Sequence, residues 1–246
     1  MTDKMVVLSN PIEGREDDYN RWYDDVHVPD VLTRVRGLRG ASRYRAAERQ
    51  PFSPVVWRFI AIWEIDPEVG LAAETNSVRE LRAMKKSGNF DPQDTLYRRN
   101  PAMKASASTW FRQVYKVNSA GGSDASDDHL LIAFSNNVLI KGEQFDDWSV
   151  QHRQEVLHKV EASKSAELYT AADDQLEEPM YRHMLIYRVA KDEFGKAQDA
   201  TSWQDVESAH ALTAGPSTFT NNPVGWWFIP HSQLSVEQLS AARDIQ

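Results

Sequence analysis

His27 is the residue of this sequence whose type and setting best suit proton-transfer chemistry. Asp24 precedes it by three positions and Asp30 follows it by three. A carboxylate that reaches an imidazole favours its charged form and fixes its tautomer, so this cluster predicts a general acid/base group. We include Asp30 and Tyr23, one helical turn before His27, among the candidate catalytic residues. The alternative is that His27 only satisfies a backbone carbonyl where the helix ends before Pro29.

Arg43 and Tyr44 lie at the end of the predicted second strand. An arginine facing a cavity between helix and sheet would anchor a carboxylate or an enolate, and a tyrosine there could donate a proton. Arg43 is therefore a fourth candidate catalytic residue. Arg45 makes the alternation of the strand ambiguous, so a solvent-facing Arg43 stays open as an alternative.

The chain is rich in aromatic residues, with eight Trp, eight Tyr and nine Phe. Flat apolar side chains of this kind line cavities that suit aromatic or polycyclic ligands, although most of these rings are expected in plain core. We expect a small hydrophobic molecule as the ligand. The candidate substrate-binding residues are Trp22, Asn10, Tyr44, Trp57, Phe59 and Trp63.

The second half of the chain offers a possible second site at His152, Trp148 and His183. Trp148 and His152 are four residues apart, which is ordinary helical spacing, whereas Trp22 and His27 are five apart. If both histidines point the same way, the extra residue in the first half must be absorbed as a π-bulge or a kink, and such bulges often mark functional sites. A simple helix end is the alternative. For His152 and His183, a structural role in the core is the competing interpretation.

Composition excludes several classes of function. The chain has no cysteine, so thiolate nucleophiles and Cys-ligated metals are excluded, and no pair of histidines has helical metal-ligand spacing. The net charge is −8, with 28 basic against 36 acidic residues, which argues against nucleic-acid binding. No apolar run is long enough to span a membrane, and the N-terminus does not resemble a signal peptide. We expect a cytoplasmic protein without metal or cofactor and without a membrane partner.

The two halves of the chain repeat each other on either side of a small polar linker at 118–128. MVVLSNP at 5–11 corresponds to LIAFSNN at 131–137, and HVPDVL at 27–32 corresponds to HRQEVL at 152–157. The hydrophobic pattern of each half predicts the order βαββαβ, a ferredoxin-like unit. We therefore predict an α+β protein of two ferredoxin-like repeats, residues 1–117 and 129–246.

The predicted third strand, residues 55–63, is apolar on both faces. Its alternation places Trp57, Phe59 and Trp63 on one face, with Ile60 and Ile62 on the other. An antiparallel sheet usually exposes one face to water, so a sheet that is apolar on both faces needs a second cover. The sister repeat is the natural cover, which predicts two sheets packed into one barrel within the chain.

The first repeat resembles the EthD-like branch of the dimeric α+β barrel superfamily. The resemblance covers residues 5–65 most clearly and 130–190 more weakly, and it rests on Asn10-Pro11, Gly14, Trp22-Tyr23-Asp24, His27, Pro29, Asp30, Leu32, Gly37 and Arg43-Tyr44. It implies an intrachain pseudo-dimeric barrel, present as a monomer or as a homodimer of barrels. EthD-like methylisomerases use a helix-borne histidine at the position of His27 as a proton shuttle on a lactone.

The resemblance therefore implies a cofactor-independent lyase or isomerase that acts on a small aromatic or lactone-like metabolite. A non-catalytic protein that binds such a metabolite is the alternative. A haem protein is a further alternative, because haem proteins of this superfamily also consist of tandem ferredoxin-like halves and use a His as axial ligand.

Overall fold

The computed structural model describes residues 2–35, 37–50, 55–68, 83, 87, 100–118, 127–136, 163–173, 178–199 and 221–243. The N-terminal part contains β1 (Lys4–Pro11), α1 (Glu16–Trp22), a π-helix (Tyr23–His27), α2 (Val28–Arg34), β2 (Leu38–Ala46), β3 (Phe59–Ile65) and β4 (Met103–Asn118). The C-terminal part contains β5 (His129–Asn136), β6 (Ser163–Ala171), β7 (His183–Val189), a 3-10 helix (Lys191–Glu193), α3 (Phe194–Asp199), β8 (Asn221–Ser235) and α4 (Val236–Arg243).

Eight strands close into one antiparallel barrel in the order β1-β3-β2-β8-β5-β7-β6-β4. The strands of the N-terminal part are neighbours in the order β4-β1-β3-β2, and those of the C-terminal part in the equivalent order β8-β5-β7-β6. The two parts meet where β2 pairs with β8 and where β4 pairs with β6. Each part therefore completes the hydrogen bonding of the other part's edge strands.

The barrel strands bury apolar side chains on both faces, as the sequence predicts for β3. Ile60 and Ile62 point into the barrel, where residues from both parts of the chain form one core. Phe59 and Trp63 point outward and pack under α1 and α2 in a second core, here called the helix-side core. Strand alternation predicts Trp57 on the same face as Phe59 and Trp63, but Trp57 joins the barrel interior instead. It precedes the strand, which begins only at Phe59, so the alternation does not apply to it.

The π-helix joins α1 to α2 without a break in the helical rod. The Val28 N–H donates to the carbonyl of Tyr23, five residues earlier, and Pro29 lies in the first turn of α2, where its missing N–H costs little. This confirms the π-bulge predicted from the five-residue spacing between Trp22 and His27. Side chains on both sides of it reach the helix-side core, among them Tyr19 before it and Val31 after it.

The barrel interior also holds a charged cluster, built around Glu167 of β6. The Glu167 side chain is 2% exposed, and it accepts hydrogen bonds from Tyr169 and from Arg188, the latter at 3.2 Å. Burial alone would raise its pKa, but Arg188, Lys4, the Tyr169 hydroxyl and Lys116 outweigh burial and lower the pKa to about 2. The barrel is thus held together partly by an ion cluster from four strands and both parts of the chain.

Candidate functional site

His27 lies between the helices and the sheet, with its ring surrounded by aromatic side chains. The ring stacks on Trp22 at 4.5 Å between centroids and 15° between planes. It meets Tyr23 edge to face at 5.1 Å and Trp63 of β3 edge to face at 6.0 Å. The structure therefore brings four of the predicted site residues together at the end of the π-helix.

Arg43 of β2 is buried in the helix-side region and 2% exposed. Its guanidinium donates hydrogen bonds to Asp24 at 2.5 Å and to Asn20 at 2.9 Å. It also lies over the ring of Tyr23, 4.4 Å from the ring centroid, which is a cation–π distance. The solvent-facing alternative for Arg43 is thus wrong. Tyr23 joins the aromatic group around His27 to the ionic group around Arg43.

Asp24 is the centre of the ionic group. Its Oδ1 accepts hydrogen bonds from Arg43 and from the Ser232 hydroxyl, both at 2.5 Å, and its Oδ2 lies 3.4 Å from Nε2 of His231. Partial burial would raise the pKa of Asp24, but the hydrogen bonds from His231, Ser232 and Arg43 outweigh it and lower the pKa to about 2. Asp24 is consequently a carboxylate at all physiological pH values.

His231 and Ser232 come from β8, in the C-terminal part, and sequence reasoning missed both. Arg43 pairs with Ser232 and Tyr44 pairs with Pro230, so His231 is the extra residue of a β-bulge. Bulges of this kind re-aim a side chain and often lie next to functional sites. The aromatic run at 225–229 predicts a closing strand that ends at Ile229, whereas β8 continues to Ser235. The polar pair His231-Ser232, just after the aromatic run, is a sequence feature that could have indicated these two residues.

The two tyrosines under α1 remain protonated at neutral pH. Burial raises the pKa of Tyr23, with Tyr19 adding to the effect and Arg43 opposing it. Burial also raises the pKa of Tyr19, whose hydroxyl shares a 2.6 Å hydrogen bond with the Ser9 hydroxyl. Both phenols are therefore proton donors and not bases.

Trp63 contributes a buried polar group beside His27. The residue is 1% exposed, and its indole Nε1 has no hydrogen-bond partner among the residues that the structure describes. A buried N–H without an acceptor costs about 1–3 kcal/mol, and such groups call for an explanation in native structures. An acceptor brought to this Nε1 would satisfy its hydrogen-bonding capacity.

The other predicted residues of the first site are spread over different surroundings. Phe59 belongs to the site, because its ring lies 5.8 Å from that of His231 and 5.0 Å from that of Tyr19.

Tyr44 points into the barrel, since residues 43 and 44 face opposite sides of the sheet. The Asn10 side chain bonds to the backbone of residues 56 and 58, which fixes the chain ahead of β3. Asp30 accepts a hydrogen bond from Arg34 at 3.1 Å on α2.

For the possible second site, the structure places only His183. It is half-buried, and burial together with the charge of Arg182 lowers its pKa to about 4. His183 is therefore neutral at physiological pH. Trp148 and His152 lie outside the described residues.

Within the described part of the chain, no three His, Asp or Glu side chains are grouped so that they could hold a metal ion. The same residues include no helix with the length and apolarity needed to cross a membrane.

No protein-family model matches this sequence, and no curated protein matches it either. Solved structures do match over nearly the whole chain. An anthrone oxidase-like protein aligns with a TM-score of 0.59 at 7% identity, covering 95% of this chain and 93% of its own. This chain has the dimeric α+β barrel fold.

Two further matches to the barrel agree with this fold. A proposed monooxygenase from Fusobacterium nucleatum aligns with a TM-score of 0.54 at 12% identity, covering 96% of this chain and 94% of its own. Chlorite dismutase from Candidatus Nitrospira defluvii aligns with a TM-score of 0.51 at 10% identity, covering 98% and 94%. At such low identity the likeness concerns the fold, and the chemistry must be argued from the side chains.

Proposed function

We propose that this chain is a cofactor-independent lyase or isomerase that acts by histidine acid/base chemistry on a small aromatic or lactone-like carbonyl compound. The observation that carries the proposal is the setting of His27, an imidazole held by the π-helix between the rings of Trp22, Tyr23 and Trp63. Flat aromatic walls favour a flat apolar ligand, and an imidazole is the side chain best suited to proton transfer near neutral pH.

The proposed chemistry begins with the removal of a proton from a carbon that is next to a carbonyl group or conjugated with it. The C–H bond breaks, a ring nitrogen of His27 takes the proton, and the electron pair moves onto the carbonyl oxygen as an enolate. The Trp63 N–H, which lacks an acceptor among the described residues, would donate a hydrogen bond to that oxygen. Return of the proton to another carbon gives an isomerase, and loss of a leaving group gives a lyase.

We also propose that the chain consists of two tandem ferredoxin-like repeats, 1–117 and 129–246, of the EthD-like branch. The equivalent strand orders of the two parts support the repeats. The sequence pattern from Asn10 to Tyr44 supports the branch. A single chain then supplies one complete barrel, which is present as a monomer or as a homodimer of barrels.

A binding protein without catalysis is the second candidate. It is favoured by the completeness of the ionic group, because Arg43 and Asp24 are fully engaged by protein partners without any ligand. Such a group can be purely structural. The haem alternative stays a prediction, which the absorption spectrum of the purified protein tests directly.

Deuterium exchange tests the proposal even while the product is unidentified. Anthrone is the first probe, because it is a flat aromatic ketone with acidic C–H bonds and one structural match is described as anthrone oxidase-like. An unsaturated lactone is the second. We expect the protein to speed exchange in D2O, measured by NMR, and His27→Gln to slow it by about 100-fold or more. His129→Gln, a histidine of β5 that packs on Phe194, is the matched control and should exchange like wild type.

The two candidate functions give different results in this experiment. If wild type binds the probes, as measured by tryptophan fluorescence, but exchanges no faster than buffer, the binding-protein alternative is correct. If His27→Gln exchanges at the wild-type rate, His27 is not the proton-transfer group.

A further inference from the structure

A second histidine lies at the ionic group around Asp24, and it belongs to the other part of the chain. The β-bulge between β2 and β8 places His231 so that its Nε2 is 3.4 Å from Oδ2 of Asp24 and its ring meets Phe59 edge to face at 5.8 Å. The His231 side chain is 24% exposed, so a small molecule can reach it. Nothing in the sequence pattern around His27 indicates this residue.

The two oxygens of Asp24 have separate partners. Oδ1 receives the hydrogen bonds of Arg43 and Ser232, whereas Oδ2 faces His231. Because Asp24 is a carboxylate, it can only accept, and it selects the His231 tautomer that carries its proton on Nε2. The lone pair of Nδ1 is then left for a proton from another molecule. Among the described residues, no hydrogen bond to Nδ1 competes for it.

The surroundings of Asp24 hold it in one position. Arg43 is 2% exposed and is itself fixed by Asn20 and by the rings of Tyr19 and Tyr23. A carboxylate fixed in this way orients an imidazole and stabilises the imidazolium that forms when the imidazole accepts a proton. The geometry of a positioned acid/base group is therefore complete before any ligand binds.

We propose that His231 is a second proton-transfer group of this site and that Asp24 is its positioning residue. The proposal rests on the proposed function, since it assigns to His231 one of the two proton transfers that an isomerisation or an elimination needs. Nδ1 of His231 takes a proton from a carbon or oxygen of the ligand, whose electron pair stays on the ligand, or returns a proton to the enolate. His27 carries out the other transfer, so the ligand gives up one proton and receives one, and proton exchange with water then returns both imidazoles to their starting states.

With this assignment, both parts of the chain contribute residues to the proposed active site. His27, Asp24 and Arg43 come from the N-terminal part, whereas His231 comes from β8 of the C-terminal part. Only the pairing of β2 with β8 brings them together.

Two measurements on the full chain test the proposal. The first is the 15N NMR spectrum of histidine-labelled protein at a pH where His231 is neutral. We expect the Nε2–H tautomer of His231 in wild type and a mixture of tautomers in Asp24→Asn. The second is deuterium exchange into anthrone, which His231→Gln should slow by about 100-fold. Asp24→Asn should slow it by a smaller factor, and His129→Gln should leave both measurements at wild-type values.

The outcomes separate this proposal from the proposed function. The same His231 tautomer in wild type and in Asp24→Asn would overturn the positioning role of Asp24. Unchanged exchange in His231→Gln, with His27→Gln inactive, would overturn the role of His231 and leave the proposed function standing. Slow exchange in His231→Gln with normal exchange in His27→Gln would support His231 and overturn the assignment of His27. A wild type that exchanges no probe would overturn both proton-transfer roles.

Discussion

Replacing Asp24 by Asn tests the ion pair on which the candidate site is built. Asn keeps the shape of the side chain but removes its charge, which leaves the guanidinium of Arg43, 2% exposed, without a counter-charge. The pKa of Asp24 falls from 3.8 to about 2 in the folded protein. At about 1.4 kcal/mol per pKa unit, this corresponds to about 2 kcal/mol of stability. The side chain is 29% exposed, so solvent screening reduces the value, and we expect a loss of about 1 to 2 kcal/mol.

The pH dependence of this loss has a definite sign. The folded pKa lies below the ordinary value, so the carboxylate stabilises the fold above about pH 4, and this stabilisation disappears as the pH falls towards 2. The difference between wild type and Asp24→Asn should thus be full at pH 7 and shrink steadily below pH 4. Urea unfolding followed by tryptophan fluorescence at several pH values measures it.

Asp18→Asn is the matched control for this experiment. Asp18 lies on α1 and pairs with Arg15 at 3.0 Å, but both side chains are about half exposed. Its removal should change the free energy of unfolding by no more than about 0.5 kcal/mol. Because the chain carries a net charge of −8, loss of any one negative charge would on its own tend to stabilise it. Equal stability of Asp24→Asn and wild type at pH 7, or a difference that does not shrink in acid, would refute the reasoning.

Three further predictions concern the barrel and its cores. Glu167→Gln should cost about 3–5 kcal/mol in urea unfolding, because it removes the carboxylate that pairs with buried Arg188 and offsets the charge of buried Lys4, and a cost below about 1 kcal/mol would contradict this. Since burial lowers the pKa of His183 to about 4, its folded form resists protonation, and stability should fall as the pH drops from about 6.5 to 4. His183→Gln should flatten that slope, and an unchanged slope would rule out His183 as its source. Residues 1–117 expressed alone should aggregate or self-associate in size-exclusion chromatography, because β2 and β4 lose their partner strands, whereas a soluble folded monomer would show that the barrel is not one unit.

The local features of the site could be predicted from the sequence, because they depend on the spacing of residues along a single helix or strand. Trp22 and His27 are five residues apart, one more than the interval between Trp148 and His152. A regular α-helix cannot present both pairs in the same way, and the structure contains a π-helix at Tyr23–His27. The apolar residues on both faces of β3 likewise predicted a covered sheet. Such features are fixed by helical and strand periods, which a single sequence displays.

The features that the sequence did not reveal depend on pairing between distant strands. Arg43 is buried because Asp24 neutralises it and Asn20 accepts its second hydrogen bond, and the alternation around Arg45 could not show this. His231 reaches the site through a register shift between β2 and β8, strands about 190 residues apart in the chain. Trp57 lies on the barrel side and not on the predicted face, because β3 begins two residues after it. None of these features follows from the hydrophobic periodicity of a single helix or strand.

The π-helix also has a consequence for how such a site can change over time. It is in effect one additional residue, absorbed between two α-helices that keep their own contacts, with Tyr19 on one side and Val31 and Leu32 on the other. Loss of one codon within Tyr23–His27 would return the segment to α-helical winding, leave those contacts in place and re-aim the histidine. The four-residue interval from Trp148 to His152 has this shorter length. We therefore expect that a barrel of this kind can gain or lose this placement of a histidine by a single-codon event that leaves its hydrophobic cores intact.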